Sequence, residues 1–492
     1  MKIGKRELLS IVSLTLVALA LRLYRIPEYL TFLGDEGRDV RIVRDLLHGN
    51  LVFIGPQTSI GNMYLGPLYY YMMAPALFLS RLDPTGPAVM VALLSVITII
   101  FTWWVARHWF GPSAAFIAAL LFSLSPVAII YSHSSWNPNP IPFFALLSIF
   151  SLYQVWQKQR FRWLIVAGIS LAFALQMHYL GLLLLPVLGT FWLAALFQIK
   201  SDKNKLKSFL ICSLLAVSCF LLLMSPLVLF DLKHQGMNFH AFKAFFSDRQ
   251  TTVNVNPANS DRFWVVATKV TQDLLFGQSK PVLPVATAAL LLLFVPLLWY
   301  FKFLSPPLLI TSLWFLTGIF GLGLYKQHVY AHYFGFLFPV VFLLSGWIIS
   351  RLLHSKSILA SLPGLALLVA ILYFSLTQSP LKFPPNRQLQ VTETAVDLVI
   401  KESGGQPFNF GLIAKQNYDE SYRYFFENKH SLLTRSEDKI TDQLFVICED
   451  GDKCQPEGHP QWQIAAFGPS TTVSTWNVNH LKIYKLVHKA IN

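Results

Sequence analysis

"YLGPLYYYMMAPALFLS" occupies residues 64–80. It is apolar enough to enter a membrane, but it is short, and Pro67 and Pro75 interrupt it. Because crossings alternate sides, whether this stretch crosses decides the side of everything after it. The rest of the chain is emphatically apolar: of 492 residues 54% are hydrophobic and only 13% charged, with mean hydropathy +0.50. A soluble domain carries about 25% charged residues. Stretches close to the ~20 apolar residues that span a bilayer recur along the sequence. They fall near 6–24, 87–106, 114–131, 141–156, 164–180, 181–199, 208–228, 282–301, 305–324, 333–350 and 358–378. The expected fold is mainly α: a polytopic membrane bundle of about 11 spans, domain 1–379, with a C-terminal domain, 380–492.

The loop charges arbitrate the fate of 64–80. Let it stay uncrossed and let the N-terminus face the cytoplasm. The inner loops then hold Arg107, "QKQRFR" (157–162), "KSDKNKLK" (200–207), Lys302 and "RLLHSK" (351–356). The short outer loops hold "SHSSWNPNP" (132–140), the turn near His178 and "YKQHVYAHY" (325–333), with one Lys and no Arg. That contrast is the positive-inside pattern, and a crossing at 64–80 would invert it. The stretch therefore reads as a helix lying partly in the membrane face. Two long loops, 25–86 and about 229–281, then fall outside, as does the C-terminal domain. The expected location is the plasma membrane, with the first apolar segment kept as an anchor because no small-residue cleavage site follows it.

Net charge is +14, and residues 380–492 are nearly balanced, with 12 Lys/Arg against 13 Asp/Glu. The basic excess belongs to the membrane part. It points to topology and anionic lipid headgroups and away from nucleic acid. The C-terminal part opens with Pro384-Pro385 and continues as a helix-like stretch ending at Gly404-Gly405. "FNFGLIA", "QLFVICE" and "HLKIYKLV" read as strands and "YDESYRYFFEN" as a helix, giving a small α/β domain. Cys448 and Cys454 lie close together in it, and an extracytoplasmic location favours a disulfide between them. Cys212 and Cys219 lie in an apolar span.

The chemistry candidates begin in the first outer loop, at "TFLGDEGRDVRIVRDLLHGN" (31–50). "EGRDVRIVRDLLHGN" reads as an amphipathic helix, with Val40, Val43 and Leu47 on one side and Arg38, Arg41 and Arg44 on another stripe. Gly49 suits its end. Asp35 and Glu36 stand at its N-terminal end, where the helix dipole favours negative charge. The bland reading is that Asp35 caps the helix and the arginines bind lipid phosphate. The functional reading is a general base at the membrane face, with the arginines holding a phosphate leaving group.

The layout resembles the GT-C membrane glycosyltransferases, specifically the relatives of protein O-mannosyltransferases and of the transferases that add aminoarabinose to lipid A (glycosyltransferase family 39-like). The likeness covers about residues 1–350. It rests on one span followed by a long outer loop with the acidic "GDE" motif, on "LGPLYYYMMAP" (65–75) where the family has a Pro-rich helix start, and on "RHWFGPSAAFIAALLFSLSPVAIIYSHSSWNP" (107–138) with its Arg-x-x-Phe-Gly turn and Ser-Pro-containing span. The resemblance implies a sugar on a polyprenyl phosphate as donor, a protein, lipid or glycan acceptor on the outer face, and a single inverting substitution. Asp35 matches the catalytic Asp and Glu36 the second acid of the pair. No cofactor is implied as required, although a divalent cation held by Asp35 and Glu36 stays open.

Two positions depart from the aminoarabinose transferases. Gly66-Pro67 replaces a basic residue before the Pro-Pro pair, and "SHSSWNPNP" lacks an acid, offering His133, Asn137 and Asn139 instead. His133 and Asn137 are thus the acceptor candidates. Arg38, Arg41, Tyr69, His178, Tyr179, Lys326, His328 and His332 are the candidates for donor phosphate or sugar. Tyr69, Tyr70 and Tyr71 also suit an interfacial belt. His328 and His332 stand at i, i+4, on one face if helical, a spacing that also suits zinc, though without the intervening Glu of the protease pattern. The rival readings are a glycan ligase or polymerase of similar architecture, and a transporter or lipid flippase. Few charges fall inside the spans and no two-half symmetry is visible, which counts against the last.

Overall fold

A computed structural model of the chain describes residues 4–58, 63–247, 261–277, 284–288, 291, 305–325, 328–450 and 454–489. The chain divides into two units. One comprises Met1–Tyr24, Leu51–Ala76 and Pro87–Pro384; the other comprises Arg25–Asn50, Leu77–Gly86 and Pro385–Asn492.

The first unit is built from apolar helices, the form in which a chain satisfies its own backbone groups inside lipid. Ten of the eleven spans expected from hydropathy fall on helices, from Lys5–Leu23 to Ile358–Thr377. The eleventh, 282–301, lies largely outside the described residues. By length and composition, five helices among the described residues reach crossing size: Thr85–Trp109, Tyr179–Ile199, Lys203–Lys233, Pro306–Gly323 and Ala331–Leu353. The pair Pro112–Leu124 and Pro126–Ser132, bent by 61°, makes a sixth when counted as one span. Leu68–Leu79, the helix inside the 64–80 stretch, has 12 residues. At 1.5 Å per residue that is about 18 Å, short of the ~30 Å hydrocarbon core.

The break in the third apolar span has a local cause. Pro126 carries no N–H to close the helical bond to Phe122, and the bend also frees Ser123. Arg22, fully buried, reaches across from the first helix and supplies both missing donors: its Nη2 donates to Phe122 O at 3.2 Å and its Nη1 to Ser123 O at 3.1 Å. Its Nε donates to Ser95 Oγ at 2.8 Å. Small residues let the helices approach closely. A Cβ on Gly168 would lie 2.5 Å from Ala216 O, and one on Gly346 would lie 2.7 Å from Ala114 O. This is how helices pack where lipid removes the hydrophobic drive between them.

The second unit contains a four-stranded sheet in the order β1-β2-β4-β3, with β1 Asn409–Ile413, β2 Gln443–Cys448, β3 Ser470–Val478 and β4 Leu481–His488. β1 and β2 run parallel; β4 pairs antiparallel with β2 and with β3. Every residue of β1 and β2 is buried, which is why both read as continuous apolar runs. The helices Gln388–Glu402 and Glu420–Asn428 stand where the sequence places them. β3 was not expected: its Ser/Thr-rich sequence alternates between half-buried and exposed at the sheet edge. Cys448 and Cys454 are joined as a disulfide.

Candidate active site

The acidic motif opens the helix Gly34–Leu47. Leu33 is the N-cap, so Gly34, Asp35 and Glu36 fill the first three helical positions. Glu36 at the third position reaches back, and its Oε2 accepts the Leu33 N–H at 3.1 Å. This is one half of a capping box. The Gly34 N–H donates to Asn417 Oδ1 at 2.8 Å. Beyond the last turn Gly49 takes φ +98°, a backbone turn that suits glycine.

The helix packs on Glu420–Asn428 of the C-terminal segment, and two glycines permit it. A Cβ on Gly37 would lie 2.3 Å from the backbone N and Cα of Ser421, and one on Gly34 would lie 2.5 Å from the Tyr418 ring. Val40 and Val43 are buried, so most of the helix's apolar stripe is covered by protein; Leu47 stays exposed.

The arginine stripe is engaged within the same unit. Arg38 pairs with Asp35 (Nη1 to Oδ1, 2.8 Å) and with the buried Asp39 (Nη2 to Oδ1, 2.7 Å). Arg41, a donor-phosphate candidate with Arg38, pairs with Glu420 and with Glu427, the latter at 3.2 Å. Arg44 meets Glu427 at 2.7 Å and Asp45 at 2.8 Å and lies 5.9 Å from the Tyr424 ring centroid. Isolated surface pairs contribute little, but a shared network on one helix face fixes its register.

The two acids occupy different environments. Glu36 is 6% exposed, and burial pushes its carboxyl up to about 8, with the charges of Asp35 and Asp39 adding to the shift. The Asp35 side chain is 40% exposed. Its Oδ1 accepts both Arg38 Nη1 and the Tyr418 hydroxyl, the latter at 2.6 Å; among the described residues its Oδ2 accepts no hydrogen bond. Burial, ahead of the neighbouring Asp35 charge, pushes the Tyr418 phenol upward and keeps it a donor. The arrangement presents one buried acid with a raised carboxyl and, beside it, an exposed acid paired with Arg38 whose other oxygen is unengaged and able to take a proton.

In the first unit the other candidates separate into two sets. The His178 and His332 rings lie 5.9 Å apart within an aromatic cluster; His332 is 4.5 Å from Trp136 and 4.6 Å from Tyr333, and Tyr131 is 6.3 Å away. The His178 Nδ1 accepts the Leu180 N–H at 3.2 Å. His328 does not share a helical face with His332. His332 sits in the 3₁₀ helix Ala331–Leu337, whereas His328 lies in the non-helical segment before it, against Tyr330. The i, i+4 pairing thus fails because no regular helix runs through 328–332. The second set is hydrogen-bonded to neighbouring elements: Tyr69 bonds Ser135 Oγ at 2.7 Å, Asn137 donates to Met177 O at 2.7 Å, a His133 ring nitrogen meets Ile129 O at 2.8 Å, and Tyr179 donates to Tyr64 O. Lys326 lies outside the described residues. Among the described residues no three of His, Cys, Asp and Glu come together as a metal site.

Sequence reasoning missed Tyr418, Asn417, Glu420 and Glu427. They stand some 380 residues from the motif they touch, and no local pattern marks them. Trp136 was visible in the "SHSSWNPNP" loop as the aromatic beside the chosen polar residues.

The sequence model of the dolichyl-phosphate-mannose-protein mannosyltransferase family matches residues 65–230. A comparison with curated proteins gives no match. Among solved structures, the fold is similar to that of ArnT from Cupriavidus metallidurans bound to undecaprenyl phosphate, with TM-score 0.61, 12% identity, and 96% of this chain and 97% of that one covered. The same ArnT in the apo state gives TM-score 0.60 at 13% identity, with 97% of each chain covered. The archaeal oligosaccharyltransferase AglB from Archaeoglobus fulgidus, in complex with an inhibitory peptide and a dolichol-phosphate, gives 0.50 at 15% identity, covering 87% of this chain and 64% of that one. The chain is thus an integral membrane protein by its apolar helices, matches the mannosyltransferase family model over residues 65–230, and shares its overall fold with ArnT.

Proposed function

We propose that the protein transfers a sugar from a polyprenyl-phosphate donor to an acceptor on the outer face of the membrane, in one inverting step with Asp35 as base. The observation that carries this reading is the Asp35 carboxylate: half-exposed at a helix start, one oxygen held twice, the other unengaged. Asp35 Oδ2 takes the proton of the acceptor O–H or N–H. The acceptor atom attacks the anomeric carbon as the bond to the phosphate oxygen breaks, and the phosphate leaves with the electron pair. Glu36, neutral and capping, holds the motif in place. The undecaprenyl phosphate bound to ArnT supports the donor class. His178, His332 and Tyr179 are the donor-side candidates, with Lys326 and His328. The loop charges support a cytoplasmic N-terminus and an extracytoplasmic C-terminal domain.

The test uses purified full-length protein in liposomes with a panel of undecaprenyl-phosphate hexoses and pentoses and a cell-envelope extract as acceptor. Release of undecaprenyl phosphate is measured, and products are weighed by mass spectrometry. Wild type should consume one donor and add one sugar. Asp35→Asn should cut release to a small residual rate while the protein remains folded; near-normal turnover by that variant removes Asp35 from the role. Addition of whole glycans would instead identify a ligase or polymerase. The same assay in EDTA tests the expected independence from divalent cations.

A further inference from the structure

We infer that the C-terminal domain contributes a positioning residue, Tyr418, that orients Asp35 for proton transfer; this rests on Asp35 being the base. The Tyr418 hydroxyl lies 2.6 Å from Asp35 Oδ1, and Arg38 Nη1 lies 2.8 Å from the same oxygen and 3.1 Å from the Tyr418 hydroxyl. The three groups form a closed triangle. Two donors on Oδ1 fix the rotation of the carboxylate and leave Oδ2 as its basic oxygen.

The ring is itself held. It lies over Gly34, where any side chain would strike it. Asn417 Oδ1 accepts both the Tyr418 N–H at 2.9 Å and the Gly34 N–H at 2.8 Å, so one amide oxygen ties the tyrosine's backbone to the first residue of the acidic helix. Asn417 Nδ2 donates to Glu449 Oε1 at 2.7 Å, which also accepts the Tyr422 hydroxyl at 3.0 Å. Glu449 directly follows Cys448, the end of β2 and one half of the disulfide. The support thus runs from a sheet end through an amide to the aromatic ring and the acid. Such outer support is what holds a reacting group in productive geometry. The domain then acts on the reaction itself, and its role is more than covering the loop.

Two measurements on the full-length protein test this. In the liposome assay, Tyr418→Phe should lower kcat on the order of 10- to 100-fold, the cost of a misplaced general base. KM for the donor should move less than about twofold, because donor binding does not use the triangle. In the Asp35→Asn background the same change should do nothing further, because the group it orients is gone. An equal drop in both backgrounds, or a Tyr418→Phe rate at or above wild type, overturns the inference. The second measurement needs no turnover: carbodiimide with glycine ethyl ester labels accessible carboxyls, read by peptide mass spectrometry. Labelling of Asp35 should rise severalfold in Tyr418→Phe while that of buried Glu36 stays low. Unchanged Asp35 labelling overturns the inference even if the donor is never found. Activity retained by Asp35→Asn would instead overturn the base assignment alone.

Discussion

Replacing Glu36 with Gln should flatten the pH dependence of the acidic helix's stability. Docked, the Glu36 carboxyl titrates at about 8; released into water it returns to about 4.5. Between those values the docked form holds a proton that the released form has lost. The stabilisation is therefore complete below pH 4.5 and falls as pH rises, vanishing near 8. One pH unit is worth about 1.4 kcal/mol, so about 3.5 units amount to about 5 kcal/mol over the whole window. The glutamine side chain keeps an oxygen for the Leu33 N–H and carries no charge at any pH, so it mimics the protonated acid. The readout is amide hydrogen exchange on peptides from 34–47 in the full-length protein, corrected for intrinsic exchange rates. From about pH 5.5 to 8, wild-type protection should fall by about 2 decades relative to Glu36→Gln. Parallel profiles for the two proteins would refute both the burial argument and the neutral state of Glu36.

Gly37→Val sets a side chain against the Ser421 backbone and should cost about 1–3 kcal/mol or undock the helix, seen as lost exchange protection in both 34–47 and 420–428. Wild-type protection in both peptides would refute the close approach. Arg22→Met leaves Phe122 O and Ser123 O without the guanidinium and should lower thermal stability in detergent, by about 1–3 kcal/mol per orphaned carbonyl. Adding Pro126→Ala returns an N–H to Phe122 O and should recover part of the loss; no recovery would refute the explanation of the break. Cys448 and Cys454 should resist maleimide labelling until a reductant is added, and immediate labelling of the folded protein would refute the disulfide.

The parts of the molecule legible in the sequence are those governed by local rules. Hydropathy found the apolar helices because a bilayer demands long apolar runs whatever packs beside them. The helix 34–47 was legible from its acidic start, its period and Gly49, and the buried strands β1 and β2 from their apolar runs. β3 was not, because an edge strand with half-buried Ser and Thr resembles a loop. The partners of the arginine stripe were also out of reach. A run of Arg38, Arg41 and Arg44 fits lipid phosphate, a donor phosphate or protein carboxylates equally well, and only tertiary structure brings Glu420 and Glu427 to them. His328 and His332 show the opposite failure: their spacing fits a helical face, but the backbone between them is not helical until Ala331.

The division of labour between adjacent acids has the same tertiary origin, and it carries a sharper test. Both lie in the first helical turn, where the dipole favours a negative charge on either. The geometry assigns different lengths to the two sites. At the third position the longer Glu is needed to reach back to the Leu33 N–H. At the second, the shorter Asp meets both Arg38 and Tyr418 with one oxygen. Exchanging them as Asp35→Glu with Glu36→Asp preserves composition, charge and the number of carboxylates. It should nonetheless remove the cap, loosening protection of 34–47, and carry the exposed carboxylate about one methylene past the triangle. Transfer should fall by on the order of 100-fold, the expected cost of a displacement of about 1 Å in a reacting group. If an acid pair of any order sufficed, the exchanged protein would turn over at the wild-type rate, and the assignment of one acid to structure and the other to chemistry would fail.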